Sequence, residues 1–200
     1  MLLGITGCPG SGKSVLAKSI ADSGWELIDV DSLARDVVDN EKGIRERLAE
    51  VFGEDILLSD GSLDRRLLAK RAFAKPETTE RLNSIVHPPL INKLISSIAA
   101  HDKDGKNCVV DCALIFEWGI ETLFGIIICV YADKNVRKQR LMERDGRSEK
   151  DIEDLFSAQI PEIDKIKRSN VAVANNNSVL VLKTMGELIA ELPDRLDGNE

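Results

Sequence analysis

The chain has 200 residues, with 27 Lys plus Arg against 34 Asp plus Glu and a formal net charge of −7. That length holds one α/β domain or a core with small insertions and excludes a large multidomain machine; 43% hydrophobic residues supply enough apolar material for a core. The acidic balance argues against a general nucleic-acid surface, which is usually basic, so no nucleic-acid partner is expected.

In chain order, an apolar β-prone run at residues 2–6 leads through a glycine-rich turn to a helix at 13–23, a second strand at 25–30 and a helix at 32–38. Residues 43–100 contain no convincing strand but several helical periods; this is more chain than a crossover needs, and it is predicted to be a helical insertion. Strands follow at 108–116 and 126–131, then helices at 135–144 and 150–158, the latter with Ser148 and Asp151 in capping-box spacing at its start. A short strand at 171–174 and an amphipathic helix at 180–192 precede an acidic tail at 194–200, which is expected to fray. Near-continuous apolar strands alternating with helices describe a parallel sheet covered by helices on both faces. The charged segment 134–168 forms a second appendage on that core.

No apolar stretch approaches the roughly 18 residues needed to span a bilayer, and the opening residues 1–6 carry no basic flank and no cleavage site. No membrane association and a cytoplasmic location are therefore expected. Cys8, Cys108, Cys112 and Cys129 make no CxxC pair, and His87 and His101 are the only histidines. That pattern argues against structural zinc and for reduced, mostly buried thiols.

Residues 7–14, Gly7-Cys8-Pro9-Gly10-Ser11-Gly12-Lys13-Ser14, match G-x-x-x-x-G-K-[ST] between a predicted strand and a predicted helix, the context a phosphate-binding loop requires. Glycines let successive backbone N–H groups curl around phosphate oxygens, and the following helix adds its positive N-terminal end. Lys13 is then placed to bridge β- and γ-phosphates and the Ser14 hydroxyl to bind Mg²⁺. The guanine-specific NKxD sequence is absent, which disfavours a GTPase; the layout suits a small-molecule kinase that excludes water on closure.

The second strand ends in Asp29-Val30-Asp31. Ligands of open α/β sheets bind beyond the C-terminal strand ends, so Asp31 is expected to face the phosphate site and accept the proton of an attacking hydroxyl. Its other reading is a helix N-cap for residues 32–38, and the two roles are compatible. Asp111, inside the third strand, has a similar choice between assisting Mg²⁺ through water and a structural role. In residues 134–147 six basic groups face two acidic ones, and Arg137, Arg140 and Arg144 share a helical face from which they could meet ATP phosphates; a solvated face is the alternative.

Together these residues resemble the dephospho-CoA kinase family along nearly the whole chain. The resemblance is carried by Ile5-Thr6-Gly7 with Gly10-Ser11-Gly12-Lys13-Ser14, Ile28-Asp29-Val30-Asp31 with Ala34-Arg35, Asp60-Gly61-Ser62-Leu63-Asp64-Arg65, and Leu82-Asn83 before His87-Pro88. It continues in Leu114-Ile115-Phe116-Glu117, Gln139-Arg140-Leu141, Arg144-Asp145 and Gln159. It implies a P-loop NTPase sheet with a helical substrate-binding insertion and a helical lid, using ATP and Mg²⁺ to phosphorylate the 3′-hydroxyl of dephospho-CoA. The nucleotide-binding core would comprise residues 1–42, 105–135 and 170–200, the CoA-binding region 43–104 and the lid 136–169. Asp31 would be the general base, Lys13 the phosphate clamp and Arg140 the lid arginine on the transferring group. ATP would be held by Gly10, Ser11, Gly12, Lys13, Ser14 and Val15, with Arg144 and Asn175, and Ser14 would be the metal ligand. Dephospho-CoA would be held by Asp31, Arg35, Arg65 and His87, the last with a bland alternative as a core or capping histidine.

Two stretches depart from the family pattern. Ala113 stands where the family usually has proline, and residues 169–177 lack its Ala-Asp start and terminal glycine; Asn177 could take the left-handed conformation of that glycine. Another small-metabolite or nucleoside kinase remains an alternative, as does an ATP-binding regulatory protein, which would be marked by loss of the base or lid arginines. The assembly is expected to be a monomer or small homo-oligomer. The net charge of −7 hides local basic patches at 134–147 and 62–75, each of net +4, set against an acidic run at 148–164.

Overall fold

The computed structural model of the protein describes residues 1–176 and 179–192. The left-handed conformation expected of Asn177 and the fraying expected at 194–200 fall outside the described residues. Five strands, β1 Leu2–Thr6, β2 Glu26–Asp29, β3 Cys108–Asp111, β4 Ile126–Tyr131 and β5 Val171–Ala174, form one parallel sheet in the order β2-β3-β1-β4-β5. The helices among the described residues are α1 Lys13–Asp22, α2 Val30–Asn40, α3 Ile44–Phe52, α4 Arg65–Ala72, α5 Pro76–Lys103, α6 Lys134–Asp145, α7 Glu149–Ser157, α8 Glu162–Arg168 and α9 Val179–Ala190.

The chain divides into two compact units, one made of Met1–Asp29 with the chain from Ala100 onward, the other of Val30–Ala99. The first holds the sheet. Its core joins Leu3 and Ile5 of β1 to Leu16, Ala17 and Ile20 of α1, Val109 of β3, Ile128 and Val130 of β4, and Leu182 of α9. The spacing of Leu16, Ala17 and Ile20 puts one apolar stripe of α1 onto the sheet. The Ser19 hydroxyl donates to the Lys183 carbonyl at 2.8 Å and Trp25 Nε1 to that of Ala190 at 3.2 Å, which fastens α9 to α1 and to the residue before β2.

In the second unit Val38, Ile44, Leu48, Phe52, Ile56, Leu68 and Ile85 form a separate core. Its only extended pairing among the described residues is the isolated bridge Leu57 to Leu63, so the absence of a convincing strand in 43–100 was legible from the sequence. Ion pairs tie its helices: Arg65 of α4 reaches Asp39 of α2 at 2.6 Å, and Lys93 of α5 pairs with Asp36 of α2.

Two boundaries differ from expectation for identifiable reasons. The strand expected at 108–116 ends at Asp111, because the apolar residues after it, Ile115 and Phe116, are buried in a turn rather than on a ladder. Helix α2 starts at Val30, which puts Asp31 inside the first turn rather than at an N-cap before residue 32. Pro88 and Pro89 lie inside the 28-residue α5, where tertiary packing outweighs the loss of two backbone donors. No helix among the described residues is long and apolar enough to cross a membrane.

Candidate active site

The glycine-rich loop leaves the C-terminal end of β1, the central strand, and enters α1 at Lys13. Strand order reverses around β1, which has β3 on one side and β4 on the other, and ligands of open α/β sheets bind at such a switch point. Ser11 N donates to the Cys8 carbonyl at 3.1 Å, closing the loop's first turn, and Val15 N donates to the Gly12 carbonyl at 3.0 Å, opening the helix. Gly12 has φ 101°, a left-handed conformation, and a Cβ there would run into the Asn175 side-chain amide. At Gly10, φ 79°, a Cβ would meet the Arg137 carbonyl at 2.7 Å. Both positions therefore require glycine for backbone conformation and for space.

Two side chains grip the loop from behind. Arg140 Nη1 donates to the Gly10 carbonyl at 3.2 Å and Nη2 to that of Asn175 at 2.8 Å, while Asn175 Nδ2 donates to the Ser11 carbonyl at 2.7 Å. With the Ser11 oxygen held by Asn175, the N–H of Gly12 in the same peptide plane points the opposite way. Asn175 is itself fixed by its backbone N–H on the Tyr131 carbonyl at 2.8 Å and is 4% exposed. Its amide thus contacts loop backbone, a role its expected placement at the nucleotide did not include.

Lys13 Nζ lies 3.9 Å from Asp111 Oδ1. Asp111 closes β3 in register with Ile5, so the lysine and the carboxylate meet at the C-terminal edge of neighbouring strands. Asp111 is buried and Ser14 is exposed in the first turn of α1. Sequence reasoning left Asp111 undecided because a carboxylate inside a predicted strand shows nothing of what it faces.

The basic run of α6 is arranged differently from a row of phosphate ligands. Lys134 pairs with Glu153 at 2.7 Å, Lys138 with Glu149 at 3.0 Å and Arg137 with Glu162 at 3.3 Å; Arg144 and Arg147 both reach Asp145, at 2.7 and 3.4 Å. Arg137 is 6% exposed, donates to the Ala132 carbonyl at 2.9 Å and has the Phe156 ring 4.5 Å from its guanidinium. It is a structural group and does not share the open face expected for it. Hydrogen bonding from Arg144 holds the Asp145 carboxyl below the ordinary range, with burial opposing. Three of these pairs, to Glu149, Glu153 and Glu162, join the acidic run at 148–164 to the basic one.

Within the loop, Cys8 is buried, and burial pushes its thiol up; the charges of Lys165, Glu162, Arg137 and Glu117 also act on it. Burial takes the neighbouring Cys129 thiol up to about 12. All four cysteines are free and buried, as the sequence suggested.

The residues expected to hold the acceptor lie on the helices of the second unit. Asp31 and Arg35 are one turn apart in α2, both exposed, Arg65 opens α4, and His87 is in α5 just before the two prolines. Burial lowers the His87 pKa, which favours its neutral form. Arg65 is engaged with Asp39.

A parallel sheet flanked by helices, with a glycine-rich loop and lysine at the start of α1, defines a P-loop nucleotide-binding protein. Comparison with known proteins narrows this class. The family model described as dephospho-CoA kinase matches residues 1–180. A Corynebacterium glutamicum dephospho-CoA kinase is 35% identical over 197 residues, 98% of each chain, and one from Fusobacterium nucleatum is 32% identical over 179 residues, covering 90% of this chain and 91% of that one. The crystal structure of TT1252 from Thermus thermophilus superimposes with a TM-score of 0.77 at 30% identity, covering 100% of this chain and 98% of that one. The Campylobacter jejuni dephospho-CoA kinase, at 21% identity, TM-score 0.64 and 95% coverage of both chains, shares the fold. The chain belongs to the dephospho-CoA kinase family.

Proposed function

We propose that the protein transfers the γ-phosphoryl group of ATP to the 3′-hydroxyl of dephospho-CoA, forming CoA and ADP, the final step of CoA biosynthesis, in the cytoplasm. The observation that carries this reading is Lys13 at the start of α1, paired with Asp111 at the edge of the sheet, in a chain matched along residues 1–180 by the dephospho-CoA kinase family. The loop amides from Gly10 to Val15 and the positive end of α1 bind the phosphates, and Lys13 moves from Asp111 onto the β- and γ-oxygens. Arg140 serves the transferring group on exchanging a loop carbonyl for phosphate oxygen, and Arg144 adds charge at the nucleotide.

Mg²⁺ fits the donors present: the exposed Ser14 hydroxyl and the Asp111 carboxylate are hard oxygen groups of the kind that ion prefers. Bound with ATP, the ion neutralises charge that develops on the phosphates. In the second unit Asp31 takes the proton of the attacking hydroxyl, while Arg35, Arg65 and the neutral His87 hold the acceptor; Arg65 gives up Asp39 for an acceptor phosphate. The second unit supplies the acceptor side and α6 to α8 the lid, and the enzyme works as a monomer or small homo-oligomer.

The reading is tested with purified protein, ATP, Mg²⁺ and dephospho-CoA. CoA and ADP are expected in equal amounts; ADP without CoA would identify nucleotide hydrolysis instead. Replacing the base, Asp31→Asn, is expected to lower kcat by about 10² to 10⁴ while ATP affinity stays within about twofold of wild type. Near-normal turnover in that variant would remove Asp31 from the mechanism.

A further inference from the structure

Lys165 of α8 is fully buried, and the sequence marks it only as one more charge in a charged segment. Its Nζ donates to the Ala113 carbonyl at 2.5 Å and pairs with Glu117 Oε1 at 2.7 Å. The same Glu117 oxygen accepts the backbone N–H of Ile160 at 3.2 Å. The same Ala113 carbonyl accepts the hydroxyl of Thr6, the last residue of β1, at 3.1 Å.

One ammonium group therefore joins three pieces of chain. It fixes the turn after β3 at two points, Ala113 and Glu117, and through the shared carbonyl it meets the end of β1 one residue before the phosphate-binding loop begins. Asp111, the carboxylate facing Lys13, stands two residues ahead of Ala113. A buried ion pair contributes little net stability compared with apolar residues of similar volume, because desolvation offsets the attraction. What such a pair supplies efficiently is a fixed geometry, since each polar atom accepts only a narrow range of partner positions.

We infer that Lys165 is a positioning residue of the phosphate site: it holds the turn at residues 112–118 and the end of β1 together, and so sets Asp111 and the start of the loop relative to Lys13. The inference rests on the reading of residues 7–14 as the ATP site. It assigns no contact with ATP to Lys165 itself.

The test combines Lys165→Met with Glu117→Gln, which removes the pair without leaving one charge buried alone, and measures MgATP affinity by calorimetry beside the thermal midpoint. The double variant is expected to stay folded and bind MgATP about tenfold more weakly. Ile127→Val, a buried β4 substitution in the same unit, serves as the stability control and is expected to lower the midpoint without changing ATP affinity. Affinity within about twofold of wild type in a folded double variant, or an equal loss in Ile127→Val, overturns the inference. Should the double variant not fold, Thr6→Val decides: it removes one link to Ala113 at nearly constant shape, and about a threefold loss of ATP affinity is expected, with no loss contradicting the inference. CoA formation by wild type is followed in parallel. Its absence, with the ATP dependence on Lys165 intact, counts against the kinase reading alone; unchanged ATP affinity with normal CoA formation counts against the positioning role alone.

Discussion

Asn175 and Arg140 hold the carbonyls of Ser11 and Gly10, and through them the direction of the loop's peptide planes. Removing the amide in Asn175→Ala leaves the Ser11 carbonyl, in a fully buried residue, without that donor, a loss of about 1–3 kcal/mol. Part of that cost falls on ATP binding, because a loop free to rotate its peptides must be reordered around the phosphates. Calorimetry of the variant is expected to show MgATP affinity lowered by about tenfold, with the protein still folded. Unchanged affinity would show that the amide serves the fold and not the loop. The contacts of Asn175 explain why its role was read only partly from sequence: its type and place were visible, but its partner lies 164 residues away.

Among the elements, strands with continuous apolar runs and helices with clear caps were legible, because local sequence decides both. Ser148 and Asp151 form the expected capping box, with Ser148 Oγ accepting the Asp151 N–H at 3.2 Å. Ser148→Ala is expected to destabilise α7 by about 1 kcal/mol, read as faster amide exchange in that helix, with MgATP affinity unchanged. An unaltered exchange rate would mean that the ion pairs from α6, Lys134 to Glu153 and Lys138 to Glu149, hold α7 without its cap. The turn at 112–118 and helix α8 escaped notice for opposite reasons. Apolar residues in the turn report burial, which a strand and a packed turn share, and α8 is short, charged and buried only through Lys165. Three-dimensional pairing, not composition, decides such segments.

At the scale of the whole molecule, the net charge of −7 does not describe the site. Three ion pairs join the basic run of α6 to the acidic run that follows it, and the proposed phosphate ligands are Lys13, Arg140 and the loop amides of one unit. The proposed acceptor residues Asp31, Arg35, Arg65 and His87 lie on α2, α4 and α5 of the second unit. On that proposal, a scaffold shared by many kinases leaves the choice of acceptor to these residues. The most direct measurement is therefore a comparison of acceptors at fixed MgATP: dephospho-CoA against nucleosides and small hydroxylated metabolites, with the product's phosphate located by mass spectrometry and NMR. The account predicts kcat/KM for dephospho-CoA at least about 100-fold above every other acceptor, an energy difference that a few buried polar contacts supply, and a new phosphate on the ribose 3′-oxygen. Faster phosphorylation of a nucleoside or another metabolite, or a phosphate elsewhere on the molecule, would contradict it.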